Sequence, residues 1–385
     1  MRLILAALAA AALALAATAA AATRPPARDV RVAMVAPLSG AYAGIGAPGV
    51  KAAKQAVQEL NAKGGVRGHR IVLDVFDDKT DPATSVAITK KIVADKRYVA
   101  TIGTVFASAA LADQPFVRGK MLYLGMSAST AQVTPPQDGV YVVPPTSTLF
   151  AERLAGALQK AHITRVALLH DDGAYPTEGI ANVKALARRF GLQIVSEQVF
   201  PLTATDWTQQ LATVKASDAQ ALWLWNLPQA VAITKQFKAM GLPQKLVLSG
   251  GNATSSYTEP ACPAANGAYI ASALAEVAGH LPKSHRSRAL ALHVDKVTGT
   301  SGDQFSYDGY TGVRLLADAI EQAKGRTDRA TLMRQFRSLR SWQAEGLYEY
   351  SAKRHVGLDL DSVVSETIQD CKLVPLPGQP QFAAR

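Results

Sequence analysis

The feature that most constrains the fold is a regular alternation of short apolar, β-branched segments with segments of helical hydrophobic spacing. The first strand is predicted at residues 30–36, and it is followed by a helix at 49–61 that places Val50 and Val57 on one face. Short loops join the segments, and two such series follow one another along the chain. Repeated strand–helix units with short connections predict parallel sheets covered by helices on both faces. The predicted fold class is therefore α/β, with two doubly wound parallel-sheet lobes.

The composition fits a folded chain of two domains. With 385 residues the chain is long enough for two ordinary domains, and 48% hydrophobic against 18% charged residues supply the material for two cores. The formal net charge of +11 is spread over single residues and pairs, and no basic stripe alternates with aromatic residues. Nucleic-acid binding is therefore not predicted.

The N-terminus carries the pattern of an export signal. Arg2 precedes an apolar run rich in Leu and Ala at residues 3–17, and small residues at 19–22 lead into a polar stretch. This order predicts a signal peptide, residues 1–22, whose cleavage leaves an exported protein. A membrane anchor is the alternative, because residues 3–22 could just span a bilayer. The weakly hydrophobic alanines and the small residues at its end favour cleavage.

The two cysteines, Cys262 and Cys371, allow two interpretations. An exported protein lies in a compartment that permits disulfides, so the pair could form one bridge over a long loop. Two separate buried thiols are the alternative. Two distant cysteines and scattered histidines match no recognised metal-ligand spacing, so no metal site is predicted.

A glycine-rich segment raises the question of a nucleotide cofactor, because residues 44–49 satisfy the spacing G-x-G-x-x-G. In a dinucleotide fold the first glycine follows the strand almost directly and an acid lies about twenty residues further on. Here seven residues separate Ala36 from Gly44, and the first acid of the next strand is Asp74. Pro48 is predicted at the first helical position, where its missing N–H costs nothing. The segment is interpreted as a loop that leads into a helix, and no cofactor is predicted.

Several motifs together resemble one family. They are VAMVAPLSG at 32–40, VQELNAKGGVRG at 57–68, HDDGAYPTEG at 170–179, MGL at 240–242 and YDGY at 307–310. Each motif is weak alone, but their combination and order resemble the leucine/isoleucine/valine-binding proteins of ABC uptake systems over nearly the whole mature chain.

The resemblance implies a type I periplasmic-binding fold, in which two lobes are joined by a three-strand hinge and close on a ligand. The implied crossings lie near residues 143–145, 270–272 and 348–350. The implied lobes are 28–143 plus 272–348 for lobe one and 144–271 plus 349–385 for lobe two.

The segment GMSAS at residues 125–129 allows two chemical interpretations. It is close to the G-x-S-x-G nucleophile elbow, with Ser129 in place of the last glycine, which would make Ser127 the nucleophile of a hydrolase. Short hydroxyls and free N–H groups at a strand end also suit a carboxylate. The resemblance implies that Ser127, Ala128 and Ser129 hold the carboxylate of the ligand. It implies a further serine at Ala107 or Ser108, of which Ser108 has the useful hydroxyl.

Other predicted ligand-binding residues follow from the resemblance. Tyr175 matches a tyrosine of lobe two that packs over the ligand, Phe305 matches a ring that lines the side-chain pocket, and Asn226 with Trp225 ends a strand that faces the cleft. Tyr42 and Ile45 are possible pocket walls.

One departure from the family bears on the ligand. Amino-acid binders of this family place an acid after the fourth strand of lobe two, where it pairs with the ammonium. Here residues 249–252 read SGGN and contain no carboxylate. Either Asp171, Asp172 or another acid substitutes, or the ligand is a carboxylate without an α-amine.

The predicted function is that of a periplasmic, non-enzymatic receptor. It is expected to act as a monomer, to bind a small carboxylate by lobe closure and to deliver it to a membrane ABC permease. The ligand is a branched-chain or other amino acid by family, or an aromatic or aliphatic acid. The alternatives are an exported hydrolase that uses a cleft serine and a ligand-sensing partner of a signalling protein.

Overall fold

The computed structural model describes residues 28–382, which form two lobes built around separate sheets. The strands are β1 (Arg28–Ala36), β2 (His69–Asp77), β3 (Tyr98–Ile102), β4 (Leu122–Gly125), β5 (Val140–Val142), β6 (Arg165–Asp171), β7 (Gln193–Phe200), β8 (Ala221–Trp225), β9 (Lys245–Leu248), β10 (Tyr269–Ala273), β11 (Arg340–Gln343), β12 (Gly346–Glu349), β13 (Val363–Gln369) and β14 (Lys372–Pro375). The helices are α1 (Ala43–Ala62), α2 (Pro82–Ala94), α3 (Ala107–Val117), α4 (Ser147–Lys160), α5 (Ala174–Ala187), α6 (Thr208–Ala216), α7 (Ala230–Ala239), α8 (Ser255–Ala261), α9 (Arg286–Thr298), α10 (Gln304–Gln322) and α11 (Arg329–Phe336).

The first lobe is a parallel five-stranded sheet with the strand order β2-β1-β3-β4-β5. Its inner strand β1 buries both faces: Val32 and Met34 point into one core, and Ala33 and Val35 into another. Helices α1 and α10 pack against each other and against the first of these cores. A strand that is apolar on both faces can only be stable between two helical layers, so this lobe has the doubly wound architecture.

The second lobe has a seven-stranded sheet with the order β14-β13-β10-β9-β8-β6-β7. The strands from β6 to β10 run parallel, and β13 and β14 add an antiparallel edge. The sequence of β8, ALWLW, is buried at every position, as expected for a strand covered on both faces. The predicted α/β fold with two parallel-sheet lobes is confirmed.

The third crossing between the lobes differs from the prediction. Tyr348 and Tyr350 belong to the core of the first lobe, and so does Leu358. The second sheet is entered only at Val363, where β13 begins. The chain therefore crosses between Leu358 and Val363 and not near residues 348–350. The reason is the β11–β12 hairpin, whose aromatic residues pack on the first lobe, with Tyr350 ring to ring against Tyr141.

The glycine-rich segment at residues 44–49 is helical and is not the predicted loop. Helix α1 begins at Ala43, so Pro48 lies inside the helix and not at its first position. The glycines allow close packing at the start of this helix: a Cβ on Gly46 would lie 2.1 Å from the carbonyl oxygen of Pro37. A side chain there would push α1 away from the end of β1.

Cys262 and Cys371 form a disulfide, with their Cα atoms 5.6 Å apart. The bridge joins the end of α8 to the turn between β13 and β14. Of the two interpretations, the bridge is therefore confirmed.

Within residues 28–382, no helix is long and apolar enough to cross a membrane. The predicted signal peptide, residues 1–22, lies outside the described residues.

Candidate functional site

The site lies where the carboxyl ends of strands from both lobes meet. Tyr42, Ile45 and Phe106 of the first lobe form an apolar cluster with Leu227 of the second. A cavity of about 150 Å³ lies at this junction, and residues of both lobes line it: Ala41, Tyr42, Gly44, Ile45, Leu227, Pro228, Val231, Gly251, Asn252, Thr254, Ser256 and Tyr257. Tyr42 and Ile45 therefore stand where the sequence predicted pocket walls. A larger cavity of about 510 Å³ is lined by Trp342 and Asp359 among others and shares no lining residue with the first, so volume alone does not mark the site.

The loop that follows β4 is held in one conformation by its own hydrogen bonds. The N–H of Ser129 donates to Ser127 Oγ at 3.3 Å, and Gln132 Nε2 donates to the carbonyl oxygens of Ser127 at 2.8 Å and Ser129 at 3.1 Å. A Cβ on Gly125 would lie 2.3 Å from Gln132 Oε1, so only glycine leaves room for this amide. Both serines are buried. Sequence reasoning found the serines but missed Gln132, which fixes their orientation.

The loop after β4 and the start of α3 both reach the core of the second lobe. Ala107 and Ala128 pack in the same cluster as Phe150, Tyr175 and Trp225. Ala107 is thus the residue of this helix start that faces the second lobe. Ser108, chosen from the sequence for its hydroxyl, is the next residue in the first turn of α3 and is half-buried.

Tyr175 lies in the first turn of α5. Its ring centroid is 5.8 Å from that of Trp225. A Cβ on Gly179 would lie 2.0 Å from Trp225 Cε2, so a glycine is required for α5 to lie flat on the indole. Burial raises the pKa of Tyr175, which keeps its hydroxyl protonated. Both aromatic residues are buried beneath the cleft, and Trp225 has no exposed surface.

Asn226 is used to hold the loop after β8. Its Nδ2 donates to Asp171 Oδ2 at 2.7 Å and to Gln229 Oε1 at 2.6 Å, and its Oδ1 accepts from the N–H of Gln229 at 2.9 Å. Both the NH₂ group and the oxygen of the Asn226 amide are therefore hydrogen-bonded within the protein. In this arrangement Asn226 positions Asp171 instead of pointing its amide at the cavity.

Asp171 is the acid that approaches the cleft from the second lobe. It is buried at the end of β6 and accepts a hydrogen bond from the N–H of Gly173 at 2.8 Å. Burial raises the pKa of Asp171. The pKa of Tyr42, across the cleft, is raised first by the burial of Tyr42 and next by the charge of Asp171. Asp172, in contrast, is exposed and accepts from the N–H of Leu202 at 3.0 Å. Among the described residues that line the cavity, none carries a carboxylate.

Phe305 stands at the start of α10 and is buried. Its backbone carbonyl lies against α1, where a Cβ on Gly49 would be 3.1 Å from the oxygen. It does not line the cavity, whose aromatic walls are Tyr42 and Tyr257. The other predicted ligand-binding residues do not line it either; they are Ser108, Ser127, Ala128, Ser129, Tyr175 and Asn226. The Tyr257 hydroxyl lies 2.7 Å from Thr234 Oγ1.

Glu178 is a residue at the contact between the lobes that sequence reasoning missed. It lies in α5 of the second lobe, and its carboxylate accepts hydrogen bonds from Ser129 and Thr130 of the first. The hydroxyl of Ser129, predicted to bind a ligand carboxylate, is thus bound to a carboxylate of the protein itself. No local signal marks such a residue, because its partners are distant in the chain.

The described part of the chain contains no cluster of three His, Cys, Asp or Glu side chains that could hold a metal ion.

Comparisons with known proteins agree with the architecture. A family described as periplasmic binding protein matches residues 29–357. The Leu/Ile/Val/Thr-binding protein of Salmonella typhimurium is 28% identical over 251 residues, which are 63% of this chain and 68% of that protein.

Two solved structures show the same fold at low sequence identity. A periplasmic binding protein type 1 from Bordetella pertussis has a TM-score of 0.81 and 22% identity, with 90% of this chain and 100% of that chain covered. A solute-binding protein of an ABC transporter from Rhodopseudomonas palustris BisB5, in complex with 3,4-dihydroxybenzoic acid, has a TM-score of 0.78 and 20% identity, with 90% and 96% covered. At these identities the likeness concerns the fold.

Proposed function

The chain belongs to the periplasmic binding protein family, and on that premise we propose that it is the solute receptor of an ABC uptake system and binds a small carboxylate between its lobes. One observation carries the proposal: the cavity at the strand ends is lined by both lobes. A ligand there contacts both lobes at once, so it favours the closed state over an open one. The protein is proposed to work in the periplasm, as a monomer, and to present its closed form to a membrane permease.

Ser127 is the proposed donor to the ligand carboxylate. Its oxygen accepts from the N–H of Ser129, which leaves its own hydrogen available to donate. The hydroxyl of Ser129 donates to Glu178 instead. The ligand is therefore proposed to extend from the cavity so that its carboxylate binds Ser127 and the backbone beside Ala128, while Ser129 serves the contact between lobes.

The proposed ligand is an aromatic or aliphatic acid without an α-amine. The cavity walls include Tyr42 and Tyr257, which suit a flat or apolar body, and Asn252 supplies an amide. An ammonium buried without a charged partner is costly, and Asp171 already accepts hydrogen bonds from two neutral donors. The bound 3,4-dihydroxybenzoic acid of the Rhodopseudomonas palustris structure supports this class. The name of the Salmonella typhimurium relative supports the amino-acid alternative.

The alternative of a hydrolase is less well supported by the surroundings of Ser127. A serine nucleophile needs a base within hydrogen-bond reach. The histidine at the end of β6, His170, instead has its Nδ1 2.8 Å from the carbonyl oxygen of Asp171 and its Nε2 3.5 Å from Glu197.

A thermal-shift panel tests the ligand class. We expect at least one acid from a set of benzoate, 3,4-dihydroxybenzoate, hexanoate, leucine and threonine to raise the melting temperature by several degrees. A ligand that binds only the folded state stabilises it by about 2.7 kcal/mol at a hundredfold excess over its Kd. The amide that corresponds to the active acid should have no effect, because it lacks the charge that Ser127 is proposed to bind.

The matched variants are Ser127→Ala and Ser301→Ala, the second at an exposed serine. Ser127→Ala should weaken binding of the active acid at least tenfold, since a hydrogen bond to a charged group contributes about 1.5–3 kcal/mol. Ser301→Ala should leave it unchanged. Equal affinity of a folded Ser127→Ala variant and the parent protein would remove Ser127 from the site.

A further inference from the structure

We propose that Glu178 is a latch, a residue whose hydrogen bonds hold the two lobes together. It is a positioning residue, because it affects ligand binding by favouring the closed state and does not contact the ligand. The inference rests on the proposed function, because it concerns how the receptor closes. It starts from the location of this residue: Glu178 belongs to α5 of the second lobe, whereas most of its partners belong to the loop after β4 of the first lobe.

The carboxylate of Glu178 has two donors on each oxygen. Oε1 accepts from the N–H of Thr130 at 2.7 Å and from Ser147 Oγ at 2.6 Å. Oε2 accepts from the hydroxyl of Ser129 and from the N–H of Ala131 at 3.3 Å. The acceptor capacity of a carboxylate is thus largely filled by fixed protein donors, two of which are backbone groups that cannot rotate away.

The partners of Glu178 are themselves held in place. Asn182, one turn further along α5, donates from Nδ2 to Ser147 Oγ at 3.1 Å, so the Ser147 hydroxyl hydrogen is directed at the carboxylate. On the other side, Gln132 binds the carbonyl oxygen of Ser129. The donors of the loop after β4 and the carboxylate on the second lobe thus form a contact between the lobes, which we expect opening to break.

The latch lies beside the proposed ligand site without being part of it. Tyr175, on the same helix as Glu178, packs in the cluster that contains Ala128. The loop after β4 carries both groups: Ser127 is the proposed donor to the ligand, and Ser129 donates to Glu178. Closing the lobes makes both sets of contacts together, so losing the latch lowers affinity without removing a ligand contact.

The test measures lobe closure in the ligand-free protein by double electron–electron resonance. Spin labels are attached at Lys51→Cys and Lys235→Cys, exposed positions on α1 and α7 of the two lobes. We expect Glu178→Ala to lower the ratio of closed to open molecules at least tenfold, because it removes hydrogen bonds to a charged group. Glu178→Gln should act in the same direction, since its NH₂ group faces donors.

Two matched variants separate the latch from a general structural role. Glu152→Ala removes an ion pair to Arg189, 2.8 Å long, within the second lobe, and should leave the distance distribution unchanged. Ser129→Ala removes one latch bond from the first lobe and should open the protein partially, which keeps the test available if Glu178→Ala does not fold. An unchanged distribution in folded Glu178→Gln and Ser129→Ala proteins would overturn the proposal. Because the readout needs no ligand, it is independent of the ligand class, so failure of the ligand panel and failure of the latch are distinguished.

Discussion

Replacing both Cys262 and Cys371 by serine is expected to lower the free energy of unfolding by about 4–5 kcal/mol. The bridge closes a loop with a sequence separation of 109, and a cross-link over so long a loop removes much of the conformational freedom of the unfolded chain. It also ties α8, next to the cavity, to the antiparallel edge of the second sheet. Urea unfolding of the parent and the double variant, followed by circular dichroism, measures the difference.

Reduction provides the control for this comparison. A reductant should shift the urea midpoint of the parent protein towards that of the double serine variant and should leave the variant itself unchanged. Equal midpoints for the oxidised parent and the variant would show that the bridge does not restrict the unfolded chain in the way proposed.

A change of pH is expected to have a large effect on the free energy of unfolding, because the structure buries a group of acids, here called the hinge carboxyl cluster. Its members are almost fully buried and come from the segment after β10, from the start of α10, from the β11–β12 turn and from β13; they are Glu276, Asp303, Asp308, Glu345 and Glu366. Burial raises the pKa of each, and the neighbouring acids raise those of Glu276 and Asp308 further. One tyrosine is bonded to the cluster: Tyr348 Oη donates to Glu345 Oε2 at 2.7 Å.

Glu366 shows the direction of the pH effect most clearly. Burial raises its pKa from 4.5 to about 8, although the hydroxyl of Ser272 donates to it. Between these two values the folded protein holds a proton that the unfolded chain releases, so stability falls as pH rises. The stabilisation is complete below about pH 4.5 and is lost as the pH passes about 8. One unit of pKa corresponds to about 1.4 kcal/mol, so the expected loss is on the order of several kcal/mol.

Urea unfolding at about pH 5 and about pH 9 measures this loss. Glu366→Gln cannot titrate, so its stability should fall less over the same interval than that of the parent. Glu259→Gln, at an exposed acid of the same lobe, should follow the parent. A parent protein that becomes more stable towards pH 9 would contradict the assignment of neutral carboxyls to the hinge carboxyl cluster.

The sequence was sufficient to predict the two sheets, because strands such as β8 are apolar without interruption and only a doubly covered sheet accepts them. It misplaced the start of α1. Glycines at residues 44–49 predict a loop by local preference, whereas the helix forms because Gly46 can approach Pro37. The tertiary contact outweighs the propensity there. The crossing after Tyr350 was misplaced for a similar reason, since the packing of a hairpin decides it.

The residues of the site divide in the same way. Tyr42, which lines the cavity, could be named from the sequence because it follows a strand end, and strand ends meet at the cleft in this architecture. Ser127 follows a strand end for the same reason, and its contact with a ligand stays a prediction. The sequence could not decide between Ala107 and Ser108, because a shift of one residue in the alignment changes which side chain of α3 is expected to face the second lobe. Glu178 carries no local signal: it is one acid in a helix, and its partner Ser129 lies 49 residues away in the chain.

The central claim, a receptor that closes on a carboxylate without transforming it, is tested most directly by isothermal titration calorimetry with analysis of the recovered compound. The titrant is the acid that gives the largest thermal shift in the panel. The account predicts one saturable site per chain and recovery of the acid unchanged after prolonged incubation. Steady formation of a product, or the absence of saturable binding for every acid of the panel, would contradict it.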